Sequence, residues 1–253
     1  MKKISIVTVV YNNETHLEGC IKSVISQTYD AFEYIIIDGK STDSTPEIIE
    51  KYNDKIDIVV SEKDDGIADA MNKAIKLATG DYIAFIHADD FLYDKHALEN
   101  VAPYIESGYD LVLCDILFGK NMQRKTSRGL DWLTKFKTGI WHQGCLCAKS
   151  VFTKYGNFNK DIPIAMDYEF FLRLYLKDVR VAFCPHILAV MRDTGISSRN
   201  DWETLKKRFN DEKKIHSIHA NSVSMKLVYG LYWSLYFPYR KIKHIFQYQQ
   251  PPR

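Results

Sequence analysis

Strand and helix patterns alternate over the first 115 residues, and this alternation constrains the fold more than any other feature. β-branched and aromatic runs predict strands at residues 4–10, 34–37, 56–60, 82–86 and 111–114. Apolar residues at helical spacing predict helices at residues 17–25, from residue 45, over 66–77 and near 96–105. We therefore expect an α/β fold with a largely parallel sheet covered by helices on both faces.

Polar residues follow three of these predicted strands at the point where each strand ends. They occupy residues 11–13, 38–40 and 87–90, and the last group contains the acidic pair Asp89-Asp90. Ligands of such sheets bind beyond the carboxyl ends of the strands. The sequence therefore predicts a binding site along this edge.

The second half of the chain is less regular. Residues 117–137 are expected to form a polar excursion, residues 145–147 a strand, and residues 165–176 a helix whose first turn carries Asp167 and Glu169. We expect one catalytic domain over residues 1–212, with a nucleotide half to about residue 115 and an acceptor half over 116–212. A helical extension over residues 213–253 follows.

The extension is basic and aromatic. Net charge is +2, but residues 213–253 carry +7 and contain no Asp or Glu. Apolar and aromatic residues recur there at helical spacing from Leu227 to Tyr236, before an interruption expected at Pro238. This pattern favours an amphipathic helix at an anionic membrane surface. Packing on the catalytic domain or in a homodimer is the alternative. Nucleic acid is not an expected partner, since the basic residues lie away from the strand ends.

Cysteine use and the chain's opening residues bear on its compartment. The five cysteines are odd in number and scattered, which is typical of buried free thiols in a reducing environment. The opening residues do not resemble a signal peptide, and no apolar run reaches the roughly 20 residues of a spanning helix. We expect a cytoplasmic protein, peripheral at the inner face of the membrane.

A series of short motifs resembles one enzyme family. The motifs are Tyr11-Asn12, SVISQTY at 23–29, DGKSTDST at 38–45, DDGIADAMNK at 64–73, ATGDYI at 78–83 and Asp89-Asp90. Together they resemble the inverting family 2 glycosyltransferases of the Rossmann-like GT-A fold, in the branch that builds bacterial surface polysaccharides such as O-antigen. The resemblance is dense over residues 3–92 and looser over 140–198.

The resemblance implies a metal-dependent donor site. A Mn²⁺ or Mg²⁺ ion held by carboxylates stabilises the charge that develops on a nucleoside diphosphate leaving group. By resemblance Asp90 is the direct ligand, and Asp89 faces the donor ribose or the metal shell. An acidic pair that only caps the strand end or the next helix is the alternative.

The resemblance also implies residues for the nucleotide of a UDP-hexose. Val9, Tyr11 and Asp38 match positions that enclose the base, and Asp65 matches the acid beside it. Gly39 follows Asp38 where the family more often has a second acid. The alternative is therefore that Asp38 only ends a strand and does not contact the base. Lys73 is expected to approach the phosphates, or else to be an ordinary solvated lysine.

Asp167 is the implied general base, which removes the proton of the acceptor hydroxyl. The family usually has Glu-Asp here, whereas this chain has Met166-Asp167, and Glu169 is the second candidate. His142, in a His-Gln pair, matches a position near the acceptor and the diphosphate, with a structural histidine as the alternative. Residues 195–198 resemble a phosphate-facing loop of the same family. The alternative is an ordinary basic loop.

The expected function is therefore inverting transfer of a hexose to a saccharide, expected to be carried on a lipid diphosphate. A nucleotidyltransferase is one rival, but that class has a Gly-rich basic loop after the first strand, and residues 9–15 contain neither glycine nor a basic residue. A binding module that has lost its chemistry is the other rival. The presence of Asp89, Asp90 and Asp167 together argues against it.

Overall fold

The first half of the chain forms the predicted alternation of strands and helices. The computed structural model describes residues 1–195 and 198–248. Its first elements are β1 (Ile4–Val10), α1 (Leu17–Ile25), β2 (Phe32–Asp38), α2 (Thr45–Lys51), β3 (Ile58–Ser61), α3 (Ile67–Leu77), β4 (Tyr82–Phe85), β5 (Phe91–Leu92) and α4 (Ala97–Glu106). The predicted elements of this half are confirmed, with boundaries that shift by one or two residues, and β5 is an addition.

The second half contains more regular structure than the sequence patterns predicted. Its elements are β6 (Leu111–Phe118), β7 (Gln123–Lys125), β8 (Cys145–Ala148), α5 (Lys149–Tyr155), α6 (Met166–Tyr175), β9 (Val181–Met191), α7 (Trp202–His219) and α8 (Val223–Tyr248). The interpretation of residues 117–137 as an irregular excursion is wrong in part. β6 runs on to Phe118, and β7 pairs with it as a short polar edge strand in which Arg124 contacts Asp115.

Nine strands of the described residues form one sheet, in the order β3-β2-β1-β4-β8-β6-β9-β5, with β7 paired to β6. β3, β2, β1 and β4 are mutually parallel. β8 lies between β4 and β6 and is antiparallel to both. The expected α/β fold is confirmed, and every antiparallel pair among these strands includes at least one strand from the second half of the chain.

The reversed direction of β8 positions the site. Ala84 of β4 pairs with Leu146, so the beginning of β8 lies beside the end of β4. His142 and Gln143, just before β8, are thereby brought to the edge where the residues after β4 emerge. Residues separated by more than 50 positions in sequence thus share one edge of the sheet.

The parallel half of the sheet is buried on both faces. All seven residues of β1 are buried, which explains their continuous apolar run, since helices cover both sides of a parallel sheet. Glu33 is an exception among the core side chains: it accepts hydrogen bonds from Ser5, Thr79 and Lys3. Burial opposes its ionisation, but these donors outweigh that and lower the pKa of Glu33 to about 2.

The expected extension contains the last part of α7 and all of α8, and these two helices pack together. α8 continues through Pro238, so the expected interruption there is wrong. Leu205 and Phe209 of α7 pack with Trp233 of α8 in a second, largely aromatic cluster. This packing offsets the cost of a proline inside a helix, about 3 kcal/mol. α7 runs across residues 212 and 213, where a domain boundary was expected, and that boundary stays a prediction.

Two further observations bear on the expected compartment. All five cysteines are buried and free, as expected. Within the described residues, no helix is both long enough and apolar enough to span a bilayer.

Gly80 and Gly19 offer a matched test of the packing around β1. A Cβ at Gly80 would lie 2.7 Å from the Ser5 backbone nitrogen and 2.9 Å from the Lys3 carbonyl oxygen, whereas a Cβ at Gly19 would meet no atom within 4 Å. We expect Gly80→Ala to lower the free energy of unfolding by about 1–3 kcal/mol. Gly19→Ala, exposed in α1, should raise it by about 0.5–1 kcal/mol. Urea titration of both variants measures this, and equal effects would contradict the packing described.

Candidate active site

The loops after β1, β2 and β3 meet at one edge of the sheet, at a surface of Tyr11, Gly39 and Asp64 that we call the cleft. Tyr11, just after β1, is 65% exposed. A Cβ on Gly39 would lie 3.3 Å from the Tyr11 ring and 3.1 Å from Asp64 Oδ2, so these three residues lie against one another. Because Gly39 has no side chain, the exposed Tyr11 ring and the Asp64 carboxylate can both approach position 39 this closely.

Two loops that border the cleft are fastened to each other. The Asn12 backbone N–H donates to Ser41 Oγ at 2.8 Å, and the Asn12 side-chain oxygen accepts the N–H of Thr42 at 2.8 Å. Asn12 adopts a positive φ of 49°, which asparagine tolerates better than most residues. These bonds fix where the Tyr11 ring stands.

Asp38 does not face the cleft. Its side chain is fully buried, and its carboxylate accepts the N–H of Ser41 at 3.0 Å and the hydroxyl of Ser61 at 2.5 Å. These contacts favour the alternative in which Asp38 ends a strand and shapes the following loop. Val9, at 7% exposure, lies at the buried base of the same edge.

Asp64, rather than its neighbour Asp65, is the acid that lines the cleft. The Asp65 side chain is 81% exposed, and Lys160 is 3.7 Å from it. The Asp64 side chain is 10% exposed, and its Oδ1 lies 2.5 Å from Lys73 Nζ. Sequence reasoning missed Asp64, although the DDG motif begins with it.

Lys73 is surrounded by carboxylates. Its Nζ lies 2.5 Å from Asp64, 2.7 Å from Glu62 and 3.6 Å from Asp69. Burial opposes its charge, but the hydrogen bonds to Asp64 and Glu62 outweigh that and raise the pKa of Lys73. Lys73 is therefore a charged residue that orients Asp64, and its expected role at the phosphates stays a prediction.

The acidic pair after β4 is divided between surface and interior. Asp89 is half-buried, and its Oδ2 accepts the hydroxyl of Thr194 at 3.0 Å. Asp90 is 1% exposed, and its Oδ1 accepts the backbone N–H of Arg192 at 2.9 Å. Burial and the neighbouring charge of Asp89 raise the pKa of Asp90 to about 8. This geometry favours Asp89 over Asp90 as the carboxylate that faces a ligand.

The residues around Asp89 fit a cation bound chiefly through its substrate. No group of three His, Cys, Asp or Glu residues in the described ranges is arranged to hold a metal alone. Asp89 is nevertheless a half-exposed carboxylate, and the buried Nδ1 of His87 lacks a hydrogen-bond partner. Mg²⁺-type ions are commonly held by one or two carboxylates plus substrate phosphates. The donor set present is compatible with that arrangement.

His142 lies in an aromatic cluster beside residues 87–90, which contain the acidic pair and are called the acidic turn. Its ring centroid is 5.2 Å from that of Phe85, 6.0 Å from that of His87 and 6.2 Å from that of Phe171. Burial, with the charge of His87, lowers the pKa of His142 to about 3. A neutral, buried ring favours the structural alternative for His142 over a cationic contact to phosphate.

Asp167 lies in the first turn of α6, on the side of this cluster. It is one helical turn before Phe171, so both occupy the same face, and Phe171 contacts His142. Asp167 is half-buried, and burial raises its pKa, offset only in part by the Tyr168 N–H and the charge of Arg208. Asp167 thus shares a helix face with Phe171, which contacts His142, and its carboxylate is more basic than that of an ordinary aspartate.

Glu169, the second candidate base, is occupied by other contacts. It is 4% exposed, with Oε2 3.0 Å from Arg173 and Oε1 2.9 Å from His219 Nε2. Burial opposes its ionisation, but His219 and Arg173 outweigh it and lower the pKa of Glu169. A weakly basic carboxylate held by two partners is less suited than Asp167 to accept a proton.

Glu212 of α7 is a residue near Asp167 that sequence reasoning did not find. Burial raises its pKa to about 7, with a contribution from the charge of Asp167 and an opposing one from Arg208. Arg208 Nε lies 3.7 Å from Glu212 Oε1. No sequence signal marked α7 as part of the site, because α7 lies outside the stretches that resemble the family.

The loop after β9 completes the acidic turn. Besides its N–H bond to Asp90, Arg192 donates from Nη1 to the Asp89 carbonyl at 2.5 Å. Gly195 lies close enough that a Cβ there would be 3.4 Å from Asp89 Oδ2. Ile196 and Ser197, expected in a phosphate-facing loop, lie outside the described residues.

Comparison with protein families and curated sequences gives consistent matches. The sequence profile of "Glycosyl transferase family 2" matches residues 5–181. A "PGL/p-HBAD biosynthesis glycosyltransferase" of Mycobacterium tuberculosis is 31% identical over 190 residues, which are 73% of this chain and 74% of that protein. The poly(ribitol-phosphate) β-N-acetylglucosaminyltransferase TarS of Staphylococcus aureus is 26% identical over 200 residues, covering 72% of this chain and 34% of TarS.

Solved structures share the fold. The crystal structure of S. aureus TarS 1–349 in complex with UDP-GlcNAc superposes with a TM-score of 0.70 at 19% identity, over 87% of this chain and 67% of that one. A longer TarS structure is covered over only 40% of its length. The mannosyltransferase PcManGT of Pyrobaculum calidifontis, in complex with GDP-Man and Mn²⁺, gives a TM-score of 0.61 at 18% identity, over 95% and 82% of the two chains.

The two neighbouring acids provide a direct test of the cleft. We expect Asp64→Asn to weaken UDP binding by about tenfold to a hundredfold, since a hydrogen bond to a charged group contributes about 1.5–3 kcal/mol. Asp65→Asn is the matched control, because its side chain is 81% exposed, and UDP binding should stay within about twofold of the wild type. Isothermal titration calorimetry measures both. A larger loss with Asp65→Asn would reverse the assignment.

Proposed function

Since this chain belongs to glycosyltransferase family 2, we propose that it transfers a hexose from a UDP-sugar to a saccharide acceptor with inversion at the anomeric carbon. It is a glycosyltransferase of glycan biosynthesis with the GT-A fold. The observation that carries the finer proposal is the cleft at the strand ends, where exposed Tyr11 faces the Asp64 carboxylate across Gly39. That pairing fits a flat, hydrogen-bonding base.

Recognition of the donor base uses two properties of this cleft. The Tyr11 ring offers a stacking face for a nucleobase. Asp64 offers a carboxylate that accepts an N–H from the base edge, a charge-assisted hydrogen bond. Uracil carries such an N–H, as do thymine and guanine, and the complex of TarS with UDP-GlcNAc favours uridine among them.

The diphosphate of the donor lies at the acidic turn in this proposal. Asp89 would hold Mn²⁺ or Mg²⁺, which when bound supplies charge stabilisation to the departing diphosphate. Asp90, the ligand expected from sequence, supports the turn from inside by accepting the Arg192 N–H. Thr194 orients the Asp89 carboxylate by donating its hydroxyl hydrogen to Oδ2.

Asp167 acts as the general base in the transfer step. Its carboxylate accepts the proton of the acceptor hydroxyl as that oxygen attacks the anomeric carbon, and the bond to the nucleoside diphosphate breaks on the opposite side. The raised pKa of Asp167 strengthens it as a base, and the helix start leaves it half-buried rather than enclosed.

The outer face of α8 is proposed to rest on an anionic membrane surface, where a lipid-linked acceptor is found. Val223, Leu227, Leu231 and Leu235 follow one another at four-residue spacing and are 63–75% exposed. Exposed basic side chains at Lys226, Lys241 and Lys243 lie in the same helix, which contains no acid. Apolar side chains with basic neighbours are the pattern of helices that lie in a lipid interface. This arrangement supports a peripheral location at the inner membrane face.

The experiment that tests the function is nucleotide binding. We would titrate UDP, GDP, dTDP and CDP by calorimetry, with and without Mn²⁺, into the wild type, Asp89→Asn and Asp90→Asn. We expect UDP to bind most tightly, with a metal-dependent part that Asp89→Asn abolishes. The loss of that part in Asp90→Asn alone would restore Asp90 as the ligand. No binding of any nucleotide would favour a module without chemistry.

A second prediction concerns the base. Asp167→Asn should reduce transfer by a hundredfold or more, since general base catalysis contributes about 10²–10⁴ in rate, while UDP affinity stays unchanged. In the wild type, turnover should fall as the pH drops through the raised pKa of Asp167, because the protonated carboxyl cannot accept a proton. Product formation across a pH series measures this. Unchanged turnover in Asp167→Asn would remove Asp167 as base.

The membrane proposal has its own measurement. Replacing Leu231 and Leu235 by Ser should lower co-sedimentation with vesicles of phosphatidylglycerol, because the apolar contact with the acyl chains is lost. Leu77→Ser, on the partly exposed helix α3, is the control and should bind as the wild type does. If the double variant binds vesicles normally but is monomeric where the wild type is a dimer, the outer face of α8 is a subunit contact.

A further inference from the structure

Helix α7 contacts α6 on both sides of Asp167. Asp211, itself 8% exposed, accepts the backbone N–H groups of Ile164 at 2.8 Å and Ala165 at 3.2 Å. These two residues directly precede α6, so one α7 carboxylate caps the segment that leads into the helix of the proposed base.

The next contacts lie just after Asp167. His216 Nε2 is 2.8 Å from the hydroxyl of Tyr168, and His219 Nε2 is 2.9 Å from Glu169 Oε1. Asp167 is therefore bracketed by α7 contacts before and after it along the chain. Its position depends on where α7 lies.

Helix α8 in turn determines how His216 binds. The indole N–H of Trp233 donates to His216 Nδ1 at 2.9 Å, and an indole N–H can only donate. His216 is 1% exposed, and burial keeps its ring neutral. Nδ1 is thus the acceptor, so the ring proton lies on Nε2 and is donated to the Tyr168 oxygen. Tyr168 then donates its own hydrogen to the Lys135 carbonyl at 3.0 Å.

A second aromatic residue of α8 closes the same arrangement. The Tyr229 ring stacks on His216 with centroids 4.1 Å apart and planes inclined by 8°. Its hydroxyl donates to the same Lys135 carbonyl at 2.9 Å. The Lys135 carbonyl therefore accepts one hydrogen bond from Tyr168 of α6 and one from Tyr229 of α8. His216 of α7 contacts both tyrosines.

We propose that His216 and Trp233 are positioning residues that couple the placement of α8 to the placement of Asp167. The coupling passes from Trp233 through the His216 ring to Tyr168, the residue after the proposed base. This coupling rests on the proposed function, because it takes Asp167 as the base. When α8 is displaced, His216 loses the donor that fixes its tautomer, and Tyr168 loses a fixed donor in turn.

The first test compares Trp233→Phe with Trp202→Phe. Both replace a tryptophan of the α7–α8 cluster, but only Trp233 donates to His216. The readout is the single-turnover release of UDP from UDP-GlcNAc, or of GDP from GDP-Man, with water as acceptor and enzyme in excess. We expect Trp233→Phe to slow release by about tenfold to a hundredfold with nucleotide affinity unchanged, as for a small misplacement of a reacting group. Trp202→Phe should release at the wild-type rate.

Equal rates in Trp233→Phe and the wild type, or equal losses in both variants, would overturn the coupling. If Trp233→Phe does not fold, Tyr168→Phe removes only the hydroxyl that His216 contacts and should slow release in the same way with unchanged nucleotide affinity. Nucleotide binding separates this outcome from failure of the proposed function, which would abolish binding in the wild type as well.

The tautomer of His216 is a readout that needs no turnover. Nitrogen-15 NMR of histidine-labelled protein should show the His216 proton on Nε2 in the wild type and a mixture of tautomers in Trp233→Phe. A proton on Nδ1 in the wild type would contradict the coupling whatever the activity.

Discussion

The reversal of strand direction between β4 and β8 is the constraint on which the site depends. Up to β4 the sheet is parallel and buried on both faces, so its chemistry is confined to the strand ends. Because β8 runs in the opposite direction, the residues that precede it, His142 and Gln143, arrive at the same edge as the residues that follow β4. A parallel β8 would have carried them to the far end of the sheet. The aromatic contacts of His142 then bring the face of α6 that carries Asp167 towards the acidic turn.

Much of the first half could be predicted from sequence because its signals are local. The strands are continuous apolar runs, and the helices show regular apolar spacing. Elements of the second half lack such signals. β9 contains Pro185 and a register shift opposite Asp115, and a proline within a run argues against a strand. α7 is mostly polar, and its few buried apolar residues pack against aromatic residues of α8, a partner that no local pattern reveals.

Within the site, sequence located the motifs but did not distinguish between adjacent residues. Asp64 and Asp65 have the same chemistry, and only the turn leading to Gly66, at φ 100°, decides which carboxylate enters the cleft. Asp89 and Asp90 present the same problem, since the backbone N–H that holds Asp90 belongs to Arg192, 102 positions away. The roles of Asp38 and Lys73 likewise depend on partners in other loops. Tyr11 is exposed just after β1 and Asp167 is half-buried in the first turn of α6, and the roles expected for them from sequence stay predictions.

The bond between Asp90 and Arg192 also bears on how the chain acquires its structure during synthesis. A ribosome delivers Tyr11 and Asp64 well before the strand β9 that precedes Arg192. Until Arg192 is in place, Asp90 lacks the backbone donor that its burial requires, and a buried carboxyl without a donor is unfavourable. The growing chain therefore holds an incomplete acidic turn during translation. The first 115 residues, for all their regular alternation, do not contain every partner that their own acidic turn requires.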